Sequence, residues 1–268
     1  MKIGGELGYR LLRWLKPGRE FPSVDESHIS YVPKIKRVVG VDGWESLRDK
    51  TILDFGCGIG VGSIEMAQQG ARRVIGLDIR PEVLEVARRS AEEAGVSETC
   101  EFSGSIDEPV DVIVSVDAFE HFDDPAAILR TMDRLLKDDG FVLLSFGPTW
   151  LHPHGGHLFS IFPWSHLIFS EKAQIRWRSE FKTDGATRFS EVAGGLNRMT
   201  IRTFMRLIEE GPFQFESCRA VPIRPLKWAH NRLTREFTTS IVECKLVKRR
   251  SVTPVSPERV PSERVPGS

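Results

Sequence analysis

The sequence predicts an α/β fold in which an open, mostly parallel sheet is covered on both faces by helices. Short apolar runs alternate with helical patterns between residues 50 and 147, which is typical of a doubly wound sheet. A glycine-rich turn follows the first apolar run, and an acid ends the second. Ligands of such sheets bind outside the carboxyl ends of the strands, so the sequence also indicates which edge carries function.

The elements follow from the apolar runs and from their start and stop signals. Pro81 opens one helix and Gly95 follows its end, while Gly211 and Pro212 stop the last long helix. The predicted strands are 51–55, 73–77, 99–103, 111–116, 141–146, 213–219 and 237–247. The predicted helices are 61–69, 81–94, 125–137 and 200–210.

The turn after the first strand carries three glycines at alternate positions, Gly56, Gly58 and Gly60. Glycine permits positive φ and lets a backbone pass close to a ligand. The dinucleotide fingerprint requires glycine at its sixth place, but that place holds Val61. Asp78 ends the second strand, where the acid of a nucleoside-binding βαβ unit takes the ribose hydroxyls.

These residues resemble the class I S-adenosylmethionine-dependent methyltransferases. Asp54-Phe55-Gly56-Cys57-Gly58-Ile59-Gly60 matches the first motif of that family, and Gly76-Leu77-Asp78-Ile79 matches its second strand end. The resemblance implies a Rossmann-like, seven-stranded sheet with an antiparallel final hairpin and a cap inserted after the fifth strand. It implies S-adenosylmethionine as cofactor and S-adenosylhomocysteine as product. The cofactor-binding residues that we predict are Asp54, Gly56, Cys57, Gly58, Gly60, Asp78, Ile79, Ser105, Ile106 and Asp117.

In these predicted roles the glycines make room for the amino acid end of the cofactor, and Asp54 fixes its ammonium group directly or through water. Ser105 stands where the family usually has an acid beside the adenine, and Ile106 is an apolar wall for the ring. Cys57 is expected to fill space rather than to act as a nucleophile.

The fourth strand runs into Asp117, Glu120 and His121, for which three interpretations stay open. Glu120 and His121 can hold the loop and the methionine end of the cofactor. His121 can act as a general base on a substrate hydroxyl. The acid-x-x-Glu-His pattern also resembles the Glu-x-x-Glu-His motif of ubiquinone-pathway O-methyltransferases and small-RNA 2′-O-methyltransferases, which would imply a divalent metal. Whether this chain binds a metal is left unknown.

A long connection follows the fifth strand and is predicted to form a substrate cap over about 148–199. It begins with His152, His154 and His157, of which we select His154 as a second candidate base. Its many aromatic side chains could contact a planar substrate or form the core of the cap itself. Its basic residues could bind an anionic group of the acceptor; they are Arg176, Arg178, Lys182 and Arg188.

The remaining segments define the organisation of the chain. Residues 1–49 are a helical lead-in, 50–250 the methyltransferase domain and 251–268 a disordered tail rich in Pro, Ser, Glu and Arg. A basic amphipathic helix near Leu7 to Leu15 is expected to pack on its own domain, with a membrane surface as the alternative. Four scattered cysteines, and the lack of a signal segment or an apolar run long enough to span a bilayer, predict a cytoplasmic protein.

The sequence thus predicts methyl transfer to a small-molecule acceptor, with oxygen favoured over nitrogen and a base near His121 or His154. The 37 basic and 37 acidic residues cancel, and we expect no nucleic acid partner. Two alternatives stay open: metal-assisted 2′-O-methylation of RNA, and a non-catalytic cofactor-binding protein used for interaction. The oligomeric state is not predicted.

Overall fold

The structure is a computed structural model that describes residues 2–15, 35–40, 43–182, 185–191 and 196–249. The predicted tail and most of the lead-in before residue 35 lie outside the described residues.

Seven strands among the described residues form one sheet in the order β3-β2-β1-β4-β5-β7-β6. The first five strands run parallel, and β7 pairs antiparallel with both β5 and β6. This confirms the doubly wound, mostly parallel sheet with an antiparallel final hairpin. The strands are β1 (Thr51–Phe55), β2 (Arg73–Leu77), β3 (Cys100–Ser103), β4 (Val110–Val116), β5 (Leu136–Phe146), β6 (Phe213–Pro222) and β7 (Thr239–Lys248).

Helices cover both faces of this sheet, and shorter ones lie in the long connections. The helices are α1 (Gly5–Leu15), α2 (35–39), α3 (Gly43–Leu47), α4 (Val61–Gln68), α5 (Pro81–Glu93), α6 (Pro125–Leu135), α7 (Ser165–Ile168), α8 (Glu171–Arg178), α9 (Ile201–Glu210) and α10 (Arg235–Thr238). Single 3₁₀ turns occur at Phe119–His121, His157–Phe159 and Phe189–Glu191, and a longer one spans Arg224–Ala229.

Several predicted boundaries are wrong. The strand predicted over 141–146 begins at Leu136, and the strand predicted to end at 219 continues to Pro222. The helix predicted to 137 ends at Leu135, because Leu136 already pairs with Val110 in the sheet and Lys137 reaches Asp111. The strand predicted from 237 begins at Thr239, because 235–238 form the short helix α10. None of the described helices combines the length and apolar character that crossing a bilayer requires.

The sheet separates two apolar cores. One lies under α6 and α9 and includes Leu53, Phe119 and Phe204, and the other lies under α4 and α5 and includes Ile52 and Val112. Because the central strands are buried on both faces, all five residues of β1 are buried, and its sequence does not alternate between apolar and polar residues. The parallel strands all end at one edge of the sheet, which we call the crevice edge.

The segment 148–199 connects β5 to α9 and contains two small apolar cores of its own. Phe159 and Phe189 pack in one of them, and Phe169 and Trp177 pack in the other together with Leu12 of α1. Most of the aromatic side chains that were candidates for substrate contact therefore stabilise the cap instead. The first helix packs on the cap, as predicted for packing on its own domain, since α1 contacts α8.

Candidate functional site

The glycine loop adopts the backbone that its sequence predicts. Gly56, Gly58 and Gly60 have φ of 84°, 53° and 81°, all in the region that favours glycine. A Cβ on Gly56 would lie 2.7 Å from Ala118 Cβ, and one on Gly60 would lie 2.8 Å from the Phe102 ring. A Cβ on Gly58 would meet nothing within 4 Å. The outer two glycines therefore allow close packing, and the middle one leaves open space at the crevice edge.

Two predicted cofactor residues beside this loop are buried. Asp54 is fully buried, and one of its carboxylate oxygens accepts a 2.7 Å hydrogen bond from Ser63 Oγ in α4. Cys57 packs beside Gly76, and burial followed by the charges of Asp54 and Asp78 raises the pKa of its thiol far above the usual range. Cys57 is thus a neutral, space-filling thiol.

Asp78 lies directly against the glycine loop. The Gly58 amide donates to its Oδ2 at 3.0 Å, so the two predicted motifs meet in one place. Arg80 donates to the same carboxyl group from its backbone amide and its guanidinium, each at 3.0 Å. Burial alone would raise the pKa of Asp78, but the hydrogen bonds from Arg80 and Gly58 outweigh it and hold that pKa below the usual value.

Three further predicted cofactor residues follow the ends of β2 and β3, and two of them, Ser105 and Ile106, are those predicted to border the adenine. Ile79 follows Asp78 and is 89% exposed, which leaves its side chain available to a ligand. Ser105 is exposed, and its amide donates to Ser103 Oγ at 3.2 Å. Ile106 is half-buried against the core. The contacts of Ser105 and Ile106 with the adenine, and of Ile79 with the cofactor, stay predictions.

The loop after β4 is tied to the end of β5. Asp117 has φ of 54°, and its amide donates to the Ser145 carbonyl at 2.9 Å. Glu120 is buried, and its Oε1 accepts a 3.1 Å hydrogen bond from the Gly147 amide. Glu120 therefore joins the ends of two strands at the crevice edge, as the architectural interpretation requires.

The structure brings His121 together with a histidine that we did not select. The rings of His121 and His157 are 5.4 Å apart between centroids and lie edge to face. His154 is exposed, and its ring lies 6.0 Å from that of His152. The spacing of the three cap histidines does not indicate which of them lies near His121. The position of His157 depends on a turn in which this residue has φ of 48°.

Two other histidines of the cap are structural. His166 is fully buried between Ser160 Oγ and the Trp150 carbonyl, and burial lowers its pKa. His152 accepts the amide hydrogen of His154 at its Nδ1, and burial, followed by the charges of His154 and His166, lowers its pKa to about 4. Both rings are therefore neutral near pH 7 and hold the cap loop in place.

Asn197 is a further residue of the site that sequence reasoning missed. Its side-chain amide donates to the carbonyls of Phe119 and Phe122 at 2.8 and 3.0 Å, and its backbone amide donates to Glu120. It thereby positions the loop that carries His121. No local pattern marks this asparagine, since its partners are more than 70 residues away.

A polar cavity of about 450 Å³ opens between the cap and the loop after β4. Asp123 and Asn197 line one side, and Arg188 and Arg198 line another. Of the basic residues predicted to bind an anion, Arg188 lies here, whereas Arg176 pairs with Glu6 of α1. A cavity of about 530 Å³ on the face of β5–β7–β6, near Arg37 and Glu243, lies away from the crevice edge.

Asp117, Glu120 and His121 do not make a metal centre in the structure by themselves. Among the described residues, no group of three or more His, Cys, Asp or Glu side chains is arranged to hold a metal ion. We therefore assign no metal ligand.

The fold and the loop define a class of protein. Residues 53–144 match the family model described as a methyltransferase domain. This segment contains β1 to β5 with the glycine loop and Asp78. The match supports the predicted resemblance to the class I S-adenosylmethionine-dependent methyltransferases.

Particular relatives match part of the chain. The chain is 37% identical over 112 residues to the ubiquinone biosynthesis O-methyltransferase of Neisseria meningitidis, covering 39% of this chain and 47% of that relative. It is 35% identical over 121 residues to the ribosomal protein L11 methyltransferase of Serratia proteamaculans, covering 41% of this chain and 40% of that relative. The chain thus spans less than half the length of the relatives it matches.

Solved structures resemble the whole fold. The YcgJ protein from Bacillus subtilis aligns with a TM-score of 0.53 and 19% identity, over 80% of this chain and 99% of that one. The mitomycin 7-O-methyltransferase MmcR aligns with a TM-score of 0.53 and 17% identity, over 82% of this chain and 54% of that one. At these low sequence identities the comparison shows a shared fold only.

The residues present fit the cofactor of this class. The open space beside Gly58 leaves room for a ligand to approach the backbone, and the ionised Asp78 beside it accepts hydrogen bonds. The residues that would hold S-adenosylmethionine are those of the glycine loop together with Asp78 and Ile79. The predicted contact of Asp54 with the ammonium group stays a prediction.

Proposed function

We propose that this chain binds S-adenosylmethionine and transfers its methyl group to an oxygen of a small-molecule acceptor. The proposal depends mainly on one observation: the loop that carries His121 packs against the glycine loop, because Gly56 has no Cβ and Ala118 occupies that space. A candidate base and a candidate cofactor site therefore share one crevice. When bound, the cofactor supplies a methyl group already activated on a sulfonium.

The protein would then need to orient the acceptor and to remove its proton. Alignment of the nucleophile contributes much of the rate of such a transfer. The His121 imidazole would accept the proton of the acceptor hydroxyl, because a neutral imidazole is a base near neutral pH. His157, whose ring lies edge to face against His121, would fix the orientation of that ring. His154 stays a second candidate, to be tested beside it.

Asn197 and Glu120 support this arrangement without contacting the acceptor in our proposal. Asn197 holds three carbonyls of the loop, and Glu120 links the loop to Gly147. The polar cavity lined by Asp123 and Arg188 is the proposed entry for the acceptor. An acceptor with an anionic group would find Arg188 there.

An oxygen acceptor is supported by the names of similar proteins. Two of them are O-methyltransferases, of ubiquinone biosynthesis and of mitomycin. The relative that is named for ribosomal protein L11 is slightly less similar, at 35% identity against 37% for the ubiquinone biosynthesis O-methyltransferase. We therefore favour oxygen and a small molecule.

A methyl-transfer screen followed by histidine variants tests the proposal. A library of hydroxylated small molecules is incubated with the chain and the cofactor, and methylated products are detected by mass spectrometry. With the acceptor found, His121→Ala is expected to lower kcat at least 100-fold, since general bases contribute about 10²–10⁴. S-adenosylhomocysteine affinity should stay within twofold of the wild type.

His154→Ala and His157→Ala are measured in parallel, and His230→Ala is the matched control, because its ring bonds Thr238 in the β6–β7 connection. Full activity of both His121→Ala and His154→Ala would refute a histidine base while leaving methyl transfer intact. Cofactor binding without any methylated product in the screen would refute the small-molecule acceptor.

A further inference from the structure

The connection between β6 and β7 presents two large apolar side chains to solvent. We call residues 223–238 the arm. Trp228 is 87% exposed on the 3₁₀ helix Arg224–Ala229, and Leu233 is 89% exposed in the turn that follows it. Exposed single apolar residues are common, but two at this degree of exposure on one short connection are a feature to explain.

Hydrogen bonds tie the arm to α9 and close the turn that carries Leu233. Glu236 accepts the amides of Ile201 and Arg202, at 3.1 and 2.8 Å, and so caps the first turn of α9. Asn231 accepts the amide of Leu233 at 2.9 Å within that turn. Trp228 and Leu233 are therefore exposed because an ordered backbone holds them outward.

The arm is also strongly basic. It contains Arg224, Lys227, Arg232 and Arg235, while its single acid, Glu236, is already engaged at the start of α9. Arg224, Lys227 and Arg232 are exposed, and none of these four basic residues forms an ion pair with another described residue. Their positive charge is thus available to an anionic partner.

We propose that the arm docks this protein on a bilayer surface that carries anionic lipids. Tryptophan has an apolar body and a polar N–H, and it lies well at the level of the headgroups. Basic residues near such a surface each add to the attraction. A folded protein partner would need a broad contiguous contact area, whereas Trp228 and Leu233 project singly among charges.

The first helix supports the same docking only weakly. Trp14 and Leu7 are 78% and 65% exposed, which leaves an apolar strip beside the face that packs on α8. Its basic residues are however paired, Arg10 with Glu6 and Arg13 with Glu180. The arm, and not α1, is therefore the principal contact that we infer.

In a protein docked through the arm, the crevice edge would be turned toward the bilayer. The arm leaves the sheet where β7 begins, and Val242 of β7 pairs with Phe146 at the end of β5. The arm thus departs from the edge that holds the candidate site. The inference goes beyond the proposed function and does not depend on it, since the arm could bind a bilayer whether or not the crevice catalyses methyl transfer.

Vesicle binding of the full chain tests the inference without any cofactor. Binding is measured by flotation with vesicles of phosphatidylcholine alone and with vesicles in which about two in five lipids are phosphatidylglycerol. We expect binding to the anionic vesicles, weakened by salt, and a blue shift of tryptophan fluorescence. The pair Trp228→Ser and Leu233→Ser should lower the partition coefficient roughly tenfold or more, as should the pair Lys227→Glu and Arg232→Glu.

The matched control is the pair Arg89→Glu and Arg134→Glu, which reverses two exposed charges on α5 and α6. It has the same net charge as the Lys227→Glu and Arg232→Glu pair and should bind almost like the wild type. If the control pair lost as much vesicle binding as the Lys227→Glu and Arg232→Glu pair, binding would depend on overall charge, and the proposal would be overturned. The proposal would also be overturned if the wild type did not bind anionic vesicles. It would be overturned as well if the arm variants kept vesicle binding but changed their oligomeric state, as measured by sedimentation. Methyl transfer to a soluble acceptor would be unaffected in each case, so failure here is distinct from failure of the proposed function.

Discussion

The guanidinium of Arg80 donates to both carboxylate oxygens of Asp78, with Nε on Oδ1 and Nη2 on Oδ2 at 3.0 Å each. The Arg80 amide takes a second position on Oδ1, and the Gly58 amide takes a second position on Oδ2. A carboxylate offers about four acceptor positions, so all of them are in use. Two ribose hydroxyls can bind Asp78 only after the Arg80 side chain moves away.

Removal of this side chain should therefore tighten cofactor binding. We expect Arg80→Met to lower the dissociation constant of S-adenosylhomocysteine about two- to fivefold, the range of an exposed ion pair. The pKa of Asp78 should rise toward its usual value, because the hydrogen bonds of the guanidinium are lost. Calorimetric titration measures the affinity, with Arg89→Met on α5, the helix that follows Arg80, as control. Weaker binding by Arg80→Met would show that Arg80 orients Asp78 for the ribose instead of competing with it.

The two glycines Gly58 and Gly60 should respond differently to the same change. Gly60→Ala places its Cβ 2.8 Å from Phe102 at positive φ, so we expect about 2–4 kcal/mol of lost stability. Gly58→Ala meets no neighbour and should cost only about 1–2 kcal/mol through its φ, yet its methyl group would project where the ligand approaches.

Chemical denaturation and cofactor titration separate these effects. Gly58→Ala should lose more than tenfold in S-adenosylhomocysteine affinity while it stays folded. A Gly58→Ala protein that binds like the wild type would show that the open space beside this glycine is not part of the cofactor site.

Acid should loosen the cap through its buried histidines. The pKa of His152 is about 4 in the folded chain and about 6.5 when unfolded. Between these values the unfolded chain takes up a proton that the folded chain excludes, so stability is full above pH 6.5 and is lost as the pH falls toward 4. Carboxyl groups such as Asp78 respond at lower pH, because their usual pKa is about 4.

Thermal unfolding at pH 7.5 and pH 5.0 checks this expectation. His152→Asn keeps an acceptor for the His154 amide but cannot take up a proton, so its Tm should fall less between the two pH values than that of the wild type. Equal falls in Tm would contradict a half-buried His152 that is neutral in the folded chain.

The part of the site that local sequence determines was predictable, and the part that the cap determines was not. That Gly58 and Asp78 lie together could be predicted because a backbone turn and a strand end within one βαβ unit bring them together. His157 and Asn197 were missed because their partners, His121 and the carbonyls around it, come from another connection. Contacts between distant segments leave no periodic signal in either one.

The fold shows the same division. The apolar runs of β1 and β2 predicted both strands to the residue, because burial on both faces leaves no ambiguity. The start of β7 was predicted two residues early, because Glu236 and its neighbours serve the start of α9 and form α10. The cap aromatics could not be assigned from sequence, since an aromatic residue looks the same whether it fills a core or faces a ligand.

The binding of S-adenosylhomocysteine to Asp78 variants tests the central claim most directly. Asp78→Asn is compared with Asp111→Asn, because Asp111 is also a paired carboxylate but lies where β1 begins, bonded to the Thr51 amide and Lys137. We predict that the wild type binds about one molecule per chain, that Asp78→Asn loses tenfold or more in affinity, and that Asp111→Asn binds like the wild type. Equal affinities of wild type and Asp78→Asn, or no binding by the wild type, would contradict the cofactor site at this crevice.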